Sequence, residues 1–243
     1  MKPKLNVLLV LAALSSAPAY AQSNAAPAPK PLSGQVALGY LATSGNTDST
    51  NANASFELVY ALESWKHQFD LSAVSATSNK VKTAEAYSAK YEGRRAFGED
   101  QKAYLFTTLD WKEDRFSAYD RQMSETAGYG RRLVERGPHV LNAEIGAGSR
   151  QATLRDGTDQ NEGIVRGAVD YELTFTEKTG FKQDLIIESG ASNTSYESVS
   201  ALKARLVGNI GLVLSYRVKH NTDVPVGVAA TDRFTSISLE YSF

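Results

Sequence analysis

The sequence predicts an all-β fold, a single transmembrane antiparallel up-and-down β-barrel of about 12 strands, and three observations predict it. Apolar and polar residues alternate with period two along nearly the whole chain, so each strand has one apolar and one polar face. No stretch beyond the first 21 residues is apolar enough for a membrane-crossing helix of ~20 residues. Aromatic residues collect towards the two ends of the alternating segments, as the interfacial girdles of a membrane barrel require.

The N-terminal residues read as a signal peptide over 1–21. Lys2 and Lys4 form a basic start, Val7 to Leu14 an apolar run about half as long as a bilayer-spanning helix, and Ala19-Tyr20-Ala21 a cleavage site. Residues 22–32, with Pro27, Pro29 and Pro31, form a flexible Ala/Pro-rich lead. Residues 33–243 contain no second linker and read as one outer-membrane barrel of about 210 residues. The chain has no cysteine, so an exported domain of this length must be held together without disulfides. With 26 Lys and Arg against 27 Asp and Glu there is no basic footprint, which excludes nucleic acid as a partner.

Strand by strand, the alternation is read as follows. In the stretch Ser49 to Leu62, Ala52, Ala54, Phe56, Leu58, Tyr60 and Leu62 share one face, and Asn51, Asn53, Ser55 and Glu57 share the other. Tyr87, Ala89, Tyr91 and Gly93 oppose Ser88, Lys90, Glu92 and Arg94, and Val165, Gly167, Val169, Tyr171 and Leu173 oppose Arg166, Asp170 and Glu172. The segmentation is roughly 34–43, 50–62, 65–76, 85–97, 102–112, 121–133, 139–151, 162–175, 180–189, 197–207, 210–220 and 232–243, with ends good to about 2–4 residues. Tight turns at Leu62–Trp65, Gly98–Gln101, Val134–Pro138, Thr176–Thr179 and Val207–Asn209 alternate with longer polar links. These are expected at Ser44–Ser49, Thr77–Ala84, Glu113–Asp120, Ala152–Asn161, Gly190–Tyr196 and Asn221–Thr231. Short turns on one rim and longer loops on the other put both termini and the tight turns in the periplasm.

The last segment carries Thr235, Ile237, Leu239, Tyr241 and Phe243 on one face. Tyr241 and Phe243 are therefore candidates for the assembly signal read by the barrel-assembly machinery, the plainer alternative being a last edge strand. Together these features place the protein in the outer membrane of a Gram-negative-type bacterium, with outer-membrane lipid as its surroundings.

Three stretches carry a family resemblance. They are Ser44-Gly45-Asn46-Thr47-Asp48, Glu113-Asp114-Arg115-Phe116 leading to Ala127-Gly128-Tyr129-Gly130, and Thr231-Asp232 through Leu239-Glu240-Tyr241-Ser242-Phe243. In these the chain resembles the YdiY-like salt-induced outer membrane proteins, a domain of unknown function. The resemblance covers the whole mature domain and implies an outer-membrane barrel linked to salt or osmotic conditions. It brings no catalytic or binding residue with it.

The residues themselves give no sign of catalysis or of a cofactor. His67, His139 and His220 are the candidates for a lipid-modifying site, but none has a Ser and an acidic partner at a defensible spacing. Asp156, Asp159 and Glu162 carry the oxygen ligands calcium favours but not the EF-hand spacing, so a solvated turn is the expectation. What stands out is the polar register, where Lys90, Glu92, Arg94, Asp110, Lys112, Arg166, Asp170, Glu172, Lys182, Asp184, Glu188, Lys203, Arg205, Arg217, Lys219 and Glu240 all point to the lumen. Interleaved signs fit a hydrated, charge-selecting pore or a network of ion pairs that plugs a narrow barrel. The expected function is a narrow or partly plugged passive pore for small solutes or ions. The alternative is a closed structural barrel that meets envelope components through its extracellular loops, Ala152–Asn161 and Asn221–Thr231 above all. A lipid-modifying enzyme is the third reading, which the histidines do not support.

Overall fold

The computed structural model describes residues 31–43 and 48–243. The expected signal peptide, most of the lead and residues 44–47 of the expected link Ser44–Ser49 lie outside these residues. Every described element is a strand: β1 (Leu32–Thr43), β2 (Ser49–Ala61), β3 (Trp65–Ser78), β4 (Val81–Phe97), β5 (Ala103–Asp114), β6 (Tyr119–Arg136), β7 (His139–Leu154), β8 (Asp159–Thr176), β9 (Thr179–Gly190), β10 (Thr194–Val207), β11 (Ile210–Asn221) and β12 (Thr231–Ser242). Each pairs antiparallel with its neighbours in sequence, and β1 pairs with β12 to close a twelve-stranded barrel. The closing seam is short. Its register runs from Gln35 opposite Ser242 to Leu38 opposite Leu239, with Gly34 and Phe243 exchanging two further backbone hydrogen bonds at 3.0 and 2.9 Å, whereas β1 pairs with β2 along its whole length. Closure satisfies the backbone groups that an open edge would leave bare in hydrocarbon.

The number of strands is that read from the alternation, but several strands run further. β4, β6, β7, β8 and β10 extend by a few residues beyond the apolar alternation at the rim away from the tight turns. There the outward residues become polar, as at Thr153, Asp159 and Thr194, yet the ladder continues. Backbone pairing does not need an apolar face, and a periodicity reading stops where that face stops. The expected long loop at Thr77–Ala84 is consequently a two-residue hairpin, Asn79-Lys80, with φ of 49° and 66°. Two left-handed turn residues match the right-handed twist of the flanking strands. Ala152–Asn161 likewise shrinks to the turn 155–158. Among the described connections only 222–230 is long.

The outer wall is apolar on all sides. Leu38 is 62% exposed, Ile145 63%, Val165 57% and Leu239 57%. Tyr60, Trp65, Phe97, Phe175, Tyr241 and Phe243 ring the turn rim, while Tyr40, Tyr87, Tyr196 and Tyr216 ring the opposite end. Such a surface is stable only in hydrocarbon, with its aromatics at the two interfaces.

The lumen as candidate functional site

The interior is not uniform. Nearly all of the buried side chains of the described residues lie between Glu92 on β4 and Asn193 after β9, the exceptions being Ala37 and Ser238 beside the seam. In that sector large inward residues are received by small ones. Gly130 leaves room for the Tyr104 ring, which would lie 2.3 Å from a Cβ there, and Gly146 does the same for Phe106 at 2.8 Å. The Tyr104 hydroxyl then donates to Glu144 Oε1 at 3.1 Å.

Glu144 is the hub of an ion network. Its two carboxylate oxygens meet Arg94 Nη2 at 2.9 Å and Arg166 Nη1 at 2.7 Å. Arg94 also pairs with Glu92 at 2.5 Å, and Glu92 with Lys90 at 3.1 Å. The guanidinium of Arg94 lies 5.0 Å over the Tyr104 ring and that of Arg166 5.2 Å over Phe106. Asn142 donates to Asp170 at 2.9 Å, and Lys182 lies between Asp170 and Asp184 at 3.6 and 3.5 Å. Burying charge is tolerable only when each charge is paired, as here, where Arg94 Nε has its ion-pair contact with Glu92 but no hydrogen bond.

Two contacts cross the barrel. Lys112 on β5 reaches Glu197 on β10 at 2.9 Å, and Lys219 on β11 comes within 3.9 Å of Asp114 on β5. In a ring of twelve strands β11 stands diametrically opposite β5, so these side chains form a strut that divides the lumen. On one side of it the sector is also closed at the mouth. The 222–230 loop folds inwards, with Val224 and Val228 packed on Ala118, Tyr119 and Ala152. Asn193, fully buried, holds the loop by donating to Asn221 Oδ1 at 2.9 Å and accepting from Asp223 N at 3.1 Å. Arg150 beneath it pairs with Glu162 and donates to the Asn193 carbonyl at 2.7 Å.

On the other side, between β10 and β3 by way of the seam, the inward residues are mostly small: Asn53, Ser55, Ser72, Ser215 and Ser236 with Ala37 and Ala201. They enclose a cavity of about 700 Å³ reaching Phe116 and Asp232 at the mouth. Below it a central cavity of about 320 Å³ is bordered by Glu57, Asp70, Lys90 and Lys182. A third, of about 260 Å³, reaches the turn rim at Leu62–Trp65 and Lys102. The central and lower cavities share Lys66, Arg94, Asn142, Asp170 and Glu172 as borders, so the three follow one another from rim to rim.

The polar register is thus split between two settings. Lys90, Glu92, Arg94, Arg166, Asp170, Lys182 and Asp184 belong to the network, and Glu188 accepts from Ser124 Oγ at 3.4 Å above it. Asp110 and Lys112 form the strut's foot at 3.1 Å. Glu172 borders the central and lower cavities. Lys203 bonds Gln35 at 2.8 Å and Glu240 at 3.0 Å, and Arg205 stands at the turn-rim mouth. Arg217, 3.6 Å from Glu197, and Lys219 face the cavities.

Sequence reasoning missed Glu144, the hub itself, together with Glu197, Arg150 and Asn193. Glu144 had a signal in the alternation of Leu141, Ala143 and Ile145 around it, weakened because Ala and Gly mark no clear face. Asn193 lies in a turn, where period two says nothing.

The three histidines all stand on the outer wall. His67 Nδ1 is 2.9 Å from the Tyr91 hydroxyl and stacks between Trp65 and Tyr91. His139 Nδ1 is 2.8 Å from the Tyr171 hydroxyl, and His220 Nδ1 is 2.8 Å from Thr231 Oγ1. The three acids near 156–162 do not converge. Asp156 accepts from the Thr158 N–H at 2.9 Å, which holds its carboxyl below the usual range, and Asp159 accepts from Thr153 Oγ1 at 2.9 Å. Glu162 points inwards to Arg150.

Comparison with known proteins gives the following. A family model described as "Protein of unknown function, DUF481" matches residues 36–243. The uncharacterized protein YdiY of Escherichia coli strain K12 is 33% identical over 220 residues, which are 89% of this chain and 85% of that protein. An outer membrane channel from Pseudomonas putida F1 superposes with a TM-score of 0.52 at 11% identity, covering 87% of this chain and 95% of that one. The translocator domain of the autotransporter NalP from Neisseria meningitidis does so with a TM-score of 0.51 at 9% identity, covering 89% and 90%. At such identities the likeness is one of fold, the closed barrel of outer-membrane proteins.

Proposed function

The chain belongs to the DUF481 family, and from its lumen we propose that it is a narrow passive pore of the outer membrane whose path follows the wall from β10 through the seam to β3 at the mouth away from the tight turns, then crosses the barrel axis to leave beside β2–β8 at the turn rim. The observation that carries this reading is the succession of three cavities from one rim to the other, the widest of them beside the sector that is filled by its own side chains. The widest cavity is lined mainly by hydroxyls, amides and small residues, a surface that hydrates well and holds no solute tightly. Conduction needs entry to be favourable and exit to be easy.

In this reading the turn rim faces the periplasm, and Tyr241 and Phe243 on the outward face of the closing strand serve as the barrel-assembly signal. The pore carries small hydrophilic solutes or ions and performs no chemistry on them. An adjustment of the envelope to salt or osmotic conditions is the role the family resemblance implies for such a pore. A barrel acting through long extracellular loops has less support, because 155–158 is a short turn and 222–230 is folded inwards.

Planar-bilayer recording of the purified protein tests the proposal. Steady, small single-channel steps are expected. A silent bilayer containing verifiably folded, inserted protein would overturn it.

A further inference from the structure

The upper and central cavities share a narrow set of lining residues, and the charges in that set all have one sign. Gln35, Ser55, Ser72 and Val199 are neutral, while the other three residues bordering both cavities, Lys182, Arg217 and Lys219, are cations. Resting on the pore reading above, we propose that this neck is an anion filter, and that Lys182, Arg217 and Lys219 determine which solutes pass, favouring small inorganic and organic anions over cations.

The lumen as a whole does not point this way, because both signs occur throughout it. What decides is how firmly each charge is held and where its partner stands. Arg94 and Arg166 are tied to Glu144 at 2.9 and 2.7 Å inside the filled sector, and Arg166 is almost entirely buried. Neither adds an accessible charge at the neck. The neck cations have longer contacts: Lys182 lies 3.6 Å from Asp170 and 3.5 Å from Asp184, Arg217 3.6 Å from Glu197, and Lys219 3.9 Å from Asp114. Glu197 is already held by Lys112 at 2.9 Å, so its charge is shared between two cations. None of these four carboxylates borders both cavities.

An anion entering the upper cavity thus meets three donors that can exchange a long, weak contact for a solute contact. A cation meets the same three as a barrier. The walls of a water-filled constriction enclosed by protein strengthen such a field over its value in open water.

The test is the reversal potential of the purified full-length barrel in a planar bilayer under a KCl gradient. The unaltered protein is expected to reverse on the chloride side. The triple variant Lys182→Gln/Arg217→Gln/Lys219→Gln is expected to move to zero or to the potassium side, and Arg217→Gln or Lys219→Gln alone should move part of the way. Lys80→Gln, in an exposed hairpin turn, should leave the potential unchanged. If the triple variant does not insert, the two single variants decide. A conducting barrel that prefers potassium, or neck variants that keep the original potential, would overturn the filter while leaving the pore. A silent barrel would overturn the pore reading and the filter with it.

Discussion

The wall from β4 to β9 and the wall from β10 round to β3 are built from the same period-two strands, yet most of the buried side chains belong to the first and the widest cavity lies along the second. The difference lies in the size and pairing of the inward residues. On the first wall Tyr104, Phe106, Arg94, Arg150 and Arg166 reach over inward glycines and neighbouring acids, and the space they leave is confined to the smaller central and lower cavities. On the second, Ser, Asn and Ala stop short of the axis and leave about 700 Å³. Strand length does not follow the same division, since β4, β6, β7 and β8 have 16–18 residues but β5 and β9 on the same wall have 12, as do β1, β11 and β12. Twelve strands enclose more space than one set of side chains can fill, and this sequence concentrates its large residues on one side.

Because of that contrast, removing a charge should cost much more in the filled sector. Glu144→Ala would leave Arg166 buried with no carboxylate and Arg94 with only Glu92. The expected loss is about 3–5 kcal/mol of folding stability, because the penalty is that of an unpaired buried charge. Glu240→Gln on the open side would leave Lys203 half-exposed and still bonded to Gln35, at an expected cost of about 1 kcal/mol or less. Urea unfolding from lipid vesicles, read by the heat-modifiable band, measures both. Equal losses would break the comparison.

A second, smaller effect separates inside from outside. Ile145→Arg on the filled sector and Leu239→Arg on the open one both put a charge on the lipid face, and each should cost about 2–4 kcal/mol if near the midplane. Ser215→Arg, directed into the large cavity, should cost far less in the same unfolding measurement. The two outward variants matching each other would show that the sectors differ only in their interiors. A large gap between them would mean that the outer belt is uneven as well.

The sequence made the barrel legible because membrane strands obey a strict rule, apolar outwards and polar inwards, that twelve segments repeat. The seam was legible for the same reason: Val36 and Leu38 have the parity of Leu239 and Tyr241, which they oppose. Partition of the lumen was not. Alternation says that Lys112, Glu197 and Lys219 point inwards but not how far they reach, and the strut depends on β5 and β10 being set across the ring. Ser238 illustrates the limit. Read as one more inward serine, it is 5% exposed because Asn53 reaches across Gly39 to donate to its hydroxyl at 2.7 Å. The inward loop 222–230 was equally hidden, since Val224 and Val228 have no periodic context and find their partners only through the fold.

The smallest perturbation tests the path directly. The chain contains no cysteine, so a single introduced thiol is the only one that a reagent can meet. Ser55 is exposed yet faces the lumen beside the neck, whereas Thr126 is 3% exposed and has its hydroxyl against that of Thr108 in the filled sector. Ser55→Cys exchanges one atom and should alter stability by about 1 kcal/mol or less, whereas Thr126→Cys also deletes a methyl and weakens the bond to the Thr108 hydroxyl, at an expected cost of about 1–3 kcal/mol that leaves the barrel folded. Their reactivity should nevertheless differ sharply. Ser55→Cys is expected to react with a bulky methanethiosulfonate and to lose single-channel conductance as it does, because the adduct stands at the neck between the upper and central cavities. Thr126→Cys should stay unmodified, with conductance unchanged over the same exposure. Rapid labelling at both positions would mean that water fills both sectors, and the division of the lumen by Lys112, Glu197, Asp114 and Lys219 would fall with it.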